Sequence, residues 1–440
     1  MKKIMMSAVA LTAIMGSMSV VSAADKGIDI VTTGQAVVYY NTAAKNNTDQ
    51  TLFGGHSDGT NNINNDNTRA NFGIQLNLDA DLKNGFTFGS QLNYLGTLGL
   101  EKNIVTNTMQ NTNGGTAENN IADDIYLSKL YIAKQLGNTT LKLGRQELPK
   151  SLSPFAFSEG WNVFKNTFDA ILAVNTDIKD TTLVGAYVSK SNHNGFGNDM
   201  SSFTDLSINN NAITGAAGVA INGEAYMLTV ANKSIPMTAI TASYYQLNNV
   251  GTAGTAGNGE GASIIWADAA VAGKDLPMGL KVGLQGGQIS PEASDLDDTT
   301  AFGVKVGMAP VKGLNVCLAY TSVNDGTAHV QNSGGVKTPL YTQMIANQGA
   351  IKSDNDTMML KAAYNTGEYG AVILQATQST DNSDTDTDTD RDLTDIELVY
   401  KVKAGGVNFL AAYINQTWSE KDANGVDQQD IVRVVARYNF

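Results

Sequence analysis

The sequence predicts an all-β chain that forms a transmembrane antiparallel β-barrel of about 18 strands, with 16 left open as an error of one hairpin. Three observations predict this fold. Segments that alternate apolar and polar residues recur through the chain, and short turns alternate with long polar loops between them. After the N-terminal segment, no apolar run approaches the roughly 18 residues that a membrane helix needs. Such a chain would cross a membrane with strands.

The first residues have the pattern of a secretory signal peptide. Two lysines precede an apolar segment that runs to about residue 21, and small residues follow it. We expect cleavage after Ala23, with Ala24 as the alternative, so that 1–23 is the leader and 24–440 is the barrel domain. A first transmembrane helix fits less well, because glycine and serine interrupt the apolar segment and no stop-transfer pattern follows it.

Composition narrows the possible functions. The net charge is -13, which argues against nucleic acid as a partner because phosphate binding relies on clustered Lys and Arg. Cys317 is the only cysteine, so an internal disulfide is excluded. The many glycines and tyrosines and the few prolines describe strands joined by turns better than they describe helices.

The alternation is clear in a predicted hairpin near the N-terminus and again at the C-terminus. From 71 to 82, apolar residues at every second position would face lipid while polar ones face inward. Residues 84–85, Asn-Gly, then turn the chain into a second alternating strand. The last strand has an apolar face from Val432 to Phe440, with Arg433 and Arg437 on its other face. Each pattern suits a strand between lipid and water.

The connections between predicted strands alternate in length. Eight short and nine long ones join about 18 strands, which leaves both termini on the side of the short turns. Short connections include 84–85 and 404–406, and long polar ones include 147–167 and 324–355. Short turns on one rim and long loops on the other are typical of the periplasmic and extracellular ends of outer-membrane barrels. A barrel this wide should leave an aqueous channel.

One long connection, at about 147–168, differs from the others in composition. It follows a strand at 141–146 and contains Pro149, Pro154 and mixed charges. Its aromatic residues include Phe155, Phe157, Trp161 and Phe164. An exposed loop would not normally be so aromatic, so we expect it to fold inward and pack against the inner wall.

Here the sequence resembles a known family. Residues 143–146, the proline-containing loop and the segment 166–183 resemble the constriction-loop region of the major outer-membrane porins of Campylobacter-type (epsilonproteobacterial) bacteria, and more distantly the OprD-like porins. The terminal Phe440 likewise resembles the final aromatic residue that serves outer-membrane barrels as an assembly signal. The resemblance implies a porin of the bacterial cell outer membrane, often a homotrimer, whose water-filled channel passes ions and small hydrophilic solutes by passive diffusion. An inward third external loop would narrow that channel.

The resemblance also implies a charged constriction, since a narrow aqueous gap between low-dielectric walls focuses the electric field. The matching residues are Arg145, Glu147, Lys150, Glu159, Lys165 and Asp169. The alternative is that these charges only solvate a loop. Strand alternation puts Arg145 on the lipid face with Leu141 and Leu143, so a bulge or the end of the strand would have to intervene.

Charged residues at inward strand positions are the candidate pore wall. The basic ones are Lys129, Lys142, Lys281, Lys305, Lys361, Lys401 and Arg433, and the acidic ones are Asp79, Asp81, Asp395 and Glu397. Placing a charge on the lipid face at mid-membrane costs a few kcal/mol, so we expect these side chains to face the inside of the barrel. Ion selectivity stays open, because the acidic chain suggests cations whereas the inward lysines suggest tolerance of anions.

No cofactor and no enzyme activity are predicted, and calcium is an open alternative. The carboxylate tract at 383–390 lacks the glycine and terminal glutamate of an EF-hand loop, so a solvated loop tip is favoured. Some relatives in the family carry calcium in the pore, and Asp123 with Asp124 would be the contributors here. The three histidines lie in predicted external loops, and neither a Gly-x-Ser-x-Gly motif nor a zinc spacing occurs.

Two other functions stay open. One is a substrate-selective, OprD-like channel of the same architecture. The other is a secreted β-rich adhesin or surface-layer protein, which is weakened because no fixed repeat of 20 to 50 residues is evident. A closed barrel with an internal passage would favour a channel, whereas open sheet edges or an interior without a passage would exclude it.

Overall fold

A computed structural model gives the structure of the chain and describes most of the sequence. The described residues are 20–21, 28–48, 50–53, 67–99, 105–112, 124–206, 223–250, 260–273, 275–294, 296–383 and 391–440. Nearly all of the predicted leader, with its cleavage site, lies outside them. So do Asp123, the side chain of Asp124 and residues 384–390 of the carboxylate tract.

The described chain is built almost entirely of antiparallel strands. They are β1 (Val20–Val21), β2 (Asp29–Lys45), β3 (Asn67–Lys83), β4 (Phe86–Gly96), β5 (Asp124–Leu136), β6 (Thr139–Gln146), β7 (Phe168–Asn175), β8 (Thr181–Ser191), β9 (Thr204–Asp205), β10 (Glu224–Asn232), β11 (Thr238–Asn248), β12 (Ala262–Ala272), β13 (Lys281–Pro291), β14 (Thr299–Val311), β15 (Leu314–Val323), β16 (Asn355–Asn365), β17 (Ala371–Asp381), β18 (Leu393–Ala404), β19 (Val407–Trp418) and β20 (Gln428–Asn439). Short 3-10 turns occur at Pro277–Gly279, Asn347–Ala350 and Gly367–Tyr369. In the described part of the chain, no helix has the length and apolar character to cross a membrane.

All the strands longer than two residues form one closed antiparallel barrel of 18 strands. Each pairs with both neighbours, and β8 pairs with β10 past the two-residue β9. The barrel closes where β2 pairs with both β3 and β20. At the end of this seam the backbones of Gly34 and Phe440 exchange two hydrogen bonds, at 2.7 and 3.0 Å. The prediction of about 18 strands in a closed barrel is confirmed, and closure pairs the wall backbone without leaving a free edge.

Alternation along the strands sorts side chains between the outside and the inside of the barrel. On β16, Leu360 is 56% exposed and the preceding Met359 only 5%. On β18, Leu398 is exposed while Glu397 is fully buried within the barrel. The exterior is therefore a surface of apolar side chains, as expected of a wall that faces lipid.

Outward aromatic side chains form bands near both rims. Toward the short turns they include Phe86, Tyr364, Tyr369, Tyr400, Phe409, Tyr438 and Phe440, and toward the long loops they include Phe72, Tyr94, Tyr187, Tyr226, Phe302, Tyr320 and Tyr413. Aromatic girdles at the two membrane interfaces are characteristic of outer-membrane barrels. The two bands thus mark the two edges of the lipid-facing zone.

Four inward segments occupy much of the interior. They are 105–112, 147–167, 192–201 and 324–354, and each contributes buried side chains. Inward apolar residues of β7, β8 and β10–β14 pack around the second and fourth segments in one hydrophobic core. The opposite side of the interior, along β2–β6 and β16–β20, carries the polar and charged residues that line the cavities described below. Any aqueous passage is therefore displaced toward that side.

Candidate functional site

The connection between β6 and β7 folds into the barrel, as its aromatic composition predicted. The ring of Phe155 packs edge-on against Tyr245 and Trp266, with ring centroids 5.9 and 5.3 Å apart. Farther along the loop, Phe164 lies against Gly73 of β3, where a Cβ atom would be only 2.6 Å from the ring. The loop thus crosses the interior from β11 and β12 to β3.

A second loop, 324–354, joins the first through the buried carboxylate of Glu159, which is 2% exposed. This carboxylate accepts hydrogen bonds from the side chains of Trp161 and Asn332, both at 2.8 Å. It also accepts two from the backbone N–H groups of 336–337, at 3.2 and 2.7 Å. Gly335 permits the approach, because a Cβ atom there would lie 2.2 Å from the carboxyl carbon.

The far end of the first loop is fastened to the barrel wall. The guanidinium of Arg437 on β20 donates to the carbonyl oxygens of Val163 and Asn162, at 3.0 and 3.3 Å. The hydroxyl of Tyr39 on β2 donates to the carbonyl of Trp161 at 2.9 Å. Residues 159–163, which we term the crossbar, are therefore held between the second loop and the wall.

Four of the predicted site residues meet in a cavity of about 710 Å³ along β2–β6. The carboxylate of Glu147 bonds to the ammonium groups of Lys129 and Lys165, the latter at 2.7 Å. Burial alone would raise the pKa of Glu147, but these two cations outweigh it and hold that pKa at about 2. Glu147 is therefore ionised at neutral pH. Lys142, the fourth of these residues, lies 3.7 Å from the centroid of the Tyr131 ring.

Lys150 and Glu159 lie where the two inward loops meet. The Lys150 ammonium donates to the carbonyl of Thr338 at 2.9 Å and lies 5.3 Å from the Phe157 ring centroid. Burial lowers the pKa of Lys150 to about 8. These two residues connect the loops, and neither is among the residues that line the two cavities described here.

Arg145 and Asp169 lie on the outside of the wall, apart from the other four predicted constriction residues. The register pairs them directly, and their side chains form two hydrogen bonds of 2.8 and 3.1 Å. They share the outward side with exposed Leu143 and Ile171. The expected bulge does not turn Arg145 inward, because the alternation of side chains continues to the end of β6. The guanidinium of Arg145 is hydrogen-bonded to Asp169 and stacks on the ring of Phe203, 3.2 Å from the ring centroid.

Besides Lys129 and Lys142 in the first cavity, the predicted basic wall residues divide into two groups. Arg433 and Lys401 line a second cavity of about 600 Å³, on the side of β16–β20. The guanidinium of Arg433 lies 5.4 Å from the ring centroid of Trp161 in the crossbar. Lys281, Lys305 and Lys361 occupy inward strand positions but do not line either cavity.

Sequence reasoning missed Lys337 and the role of the loop that carries it. The Lys337 ammonium donates to the carbonyl of Ile345 at 2.5 Å and to the Gln348 side chain at 3.0 Å, and it lines the second cavity. The loop 324–354 was expected outside the barrel, and it instead lies within it. Its apolar residues, such as Leu340 and Ile351, were the available signal, because an exposed loop has no reason to carry them.

The comparisons with known proteins concern the fold. No family model and no curated protein matches the sequence. The structure is similar to OccK8 (OprE) of Pseudomonas aeruginosa, at 15% identity over 93% of this chain and 98% of that chain, with a TM-score of 0.68. It is similar to OccAB3 of Acinetobacter baumannii, at 13% identity over 93% and 99% with a TM-score of 0.70, and to a BenF-like porin of Pseudomonas fluorescens Pf-5, at 12% identity over 93% and 99% with a TM-score of 0.65. This chain therefore shares the 18-stranded barrel fold of the Occ and BenF-like porin structures.

Proposed function

We propose that this chain is a porin of the bacterial outer membrane that forms a water-filled channel for the passive diffusion of ions and small hydrophilic solutes. One observation carries the proposal: a closed barrel with an apolar exterior encloses two cavities lined by charged and amide side chains. An apolar band between aromatic girdles suits lipid, and a polar interior suits water. The likeness in fold to the Occ channels supports the same conclusion.

In this proposal the constriction lies at the crossbar and at the charged side chains on either side of it. Glu147 and Lys165 supply charges from the loop, and Lys129 and Lys142 supply them from the wall. Glu159 and Lys150 hold the inward loops in place. The Arg145–Asp169 pair would stabilise the outer wall instead of lining the passage.

We propose a channel without catalysis or a resident cofactor. Within the described segments, no group of three or more His, Cys, Asp and Glu side chains could hold a metal ion. The calcium alternative at Asp123 and Asp124 stays a prediction, since those side chains lie outside the described residues.

A substrate-selective channel is the second candidate, and the packed interior favours it. Two inward loops joined by Glu159 narrow the lumen more than one loop would, and a narrow lumen discriminates solutes by shape and charge. We further propose that the chain is related to the Campylobacter-type porins and forms homotrimers, as the sequence resemblance implies. A secreted adhesin is disfavoured, because it would have no use for an apolar surface around the whole barrel.

Liposome swelling separates these candidates. Folded protein would be reconstituted into liposomes, which are then diluted into isosmotic sugars of increasing size and into amino acids of either charge. A general porin gives swelling rates that fall steadily with solute size, whereas a selective channel admits one class of solute and excludes others of the same size. Absence of swelling with every solute, from protein that remains a folded barrel in the liposomes, would overturn the proposal.

A further inference from the structure

We infer that the crossbar divides the lumen into two parallel branches of different charge, so that anions favour one branch and cations favour the other. This inference rests on the proposed channel function and adds the route that each class of ion takes. Its physical basis is the separation of two cavities, the fixed position of the crossbar between them, and the unequal distribution of charge.

The two cavities lie against different sectors of the wall. The cavity of about 710 Å³ follows β2–β6, and the cavity of about 600 Å³ follows β16–β20. Both reach the rim of short turns, where Asn439 lines the first and Gly370 lines the second. Gly160 of the crossbar and Arg437 are the residues that line both cavities. The crossbar and its anchoring arginine thus form the partition.

The partition is fixed at both ends by groups that have little freedom to move. On one side Glu159 accepts four hydrogen bonds, three of them from the second loop. On the other side Arg437 donates to two carbonyl groups of the crossbar and to the side chain of Gln35. Charge-assisted hydrogen bonds of this kind are about twice as strong as neutral ones. The crossbar is therefore a permanent divider and not a loop that swings across one opening.

The charged side chains that line the smaller cavity are all cationic. Its charged lining residues are Lys337, Lys401, Lys403, Arg433 and Arg437, and among the described residues no carboxylate lines it. Low-dielectric walls focus the field of such a set into the water between them. We term this cavity the cationic branch, and anions should be concentrated in it.

The larger cavity contains both signs of charge. The carboxylates of Asp79 and Glu147 lie among Lys129, Lys142, Lys165 and the shared Arg437, and Glu147 bonds to two of the lysines. The ion pairs of Glu147 cancel much of the electric field in this cavity. Asp79 and Glu147 are the acidic side chains among the lining residues of the two cavities, and Asp79 is the one that remains available to attract a cation. We term this cavity the ion-paired branch, and cations should cross more readily here than in the cationic branch.

Thiol modification can close each branch separately. In a Cys317→Ala background, Asn408→Cys places a thiol in the cationic branch, and Asn77→Cys at an inward position of β3 places one in the ion-paired branch. Both replaced side chains are neutral, so the two variants are matched, and a bulky uncharged methanethiosulfonate blocks without adding charge. Single-channel conductance and the reversal potential in a KCl gradient are measured before and after modification of each variant and of the double variant.

The conductances of two parallel paths add, and the two cavities have similar volumes of about 600 and 710 Å³. Blocking either branch should therefore remove about half of the conductance, and blocking both should remove nearly all of it. The reversal potential should shift toward cation selectivity after modification at 408 and toward anion selectivity after modification at 77. Loss of all conductance from one modification, shifts in the same direction, or no change would overturn the divided lumen. A channel that conducts nothing before modification would instead contradict the proposed function.

Discussion

The carboxylate of Glu159 decides where the first inward loop lies, and no sequence pattern marks it for that role. Its four partners come from both inward loops and are brought together only by the folded barrel. Sequence alternation does place Arg145 on the lipid side, and the structure agrees with that placement. The error came from assigning Arg145 to the constriction, since its partner Asp169 is fixed by the register of two strands and not by spacing along the chain.

Replacing Glu159 with Ala should loosen the crossbar without opening the barrel wall. Each of the four donors would lose its acceptor, and a buried unsatisfied donor costs about 1–3 kcal/mol, so the two loops should separate. We expect a larger and noisier single-channel conductance. Glu159→Gln keeps an accepting oxygen and should have a smaller effect, and Glu420→Ala, in an exposed loop away from both cavities, should have none. Identical traces from Glu159→Ala and wild type would contradict this role.

Glu147 should make the stability of the barrel depend on acidity. Its pKa is about 2 in the folded chain and 4.5 in a model compound, so its pairing with Lys129 and Lys165 stabilises the fold fully above about pH 4.5. That contribution, about 3 kcal/mol, is lost as the pH falls toward about 2. The thermal unfolding midpoint in detergent should therefore decline over this window less steeply in Glu147→Gln than in wild type. Equal slopes would show that the pair contributes nothing.

At the scale of strands and turns, the sequence predicts most of what the structure contains. The turn at Asn84-Gly85 has positive φ at both residues, 54° and 76°, as the Asn-Gly pair indicates. Strands are readable because their period of two repeats over many residues. The loop 324–354 could not be placed in the same way, because it has no period and its inward position depends on contacts with residues far away in sequence.

The two faces of β16 should respond differently to a new charge. Leu360 is exposed on the lipid side, and Leu360→Arg should reduce insertion by about 2–4 kcal/mol, the cost of arginine at mid-membrane. Ala363 occupies an inward position on the same strand, and Ala363→Arg should be tolerated. The fraction of heat-modifiable, folded barrel recovered from the outer membrane measures the difference. Equal recovery of both variants would contradict the assigned faces.

The last residue should matter for closure of the barrel. Phe440 exchanges two backbone hydrogen bonds with Gly34, and its ring covers that glycine. Removing Phe440 should slow or reduce folding, because β20 would lose the end of its pairing with β2. Phe440→Tyr keeps the backbone and an aromatic ring and is the matched control. Unchanged folding of the shortened chain in detergent or lipid would exclude this role for the terminal residue.

For the whole molecule, closure and strand number follow from the sequence, whereas the shape of the lumen does not. About 18 alternating strands with termini on one rim can satisfy their backbone groups in lipid only by closing. Which part of the interior stays open depends on the apolar inner faces of β7, β8 and β10–β14, against which the loops pack. Strand β7, for example, is apolar on both faces, with Leu172 buried and Ile171 exposed. The sequence pattern of such a strand does not show which of its two apolar faces packs against the inward loops.

The most direct test of the account is the electrical conductance of the purified, folded protein in a planar lipid bilayer. A closed barrel with charged internal cavities should give discrete, stepwise increases in current as single channels insert, and the current should depend on salt concentration. Protein that keeps its β-structure and heat-modifiable mobility but leaves the bilayer electrically silent would contradict the claim that this barrel encloses a continuous path for water and ions.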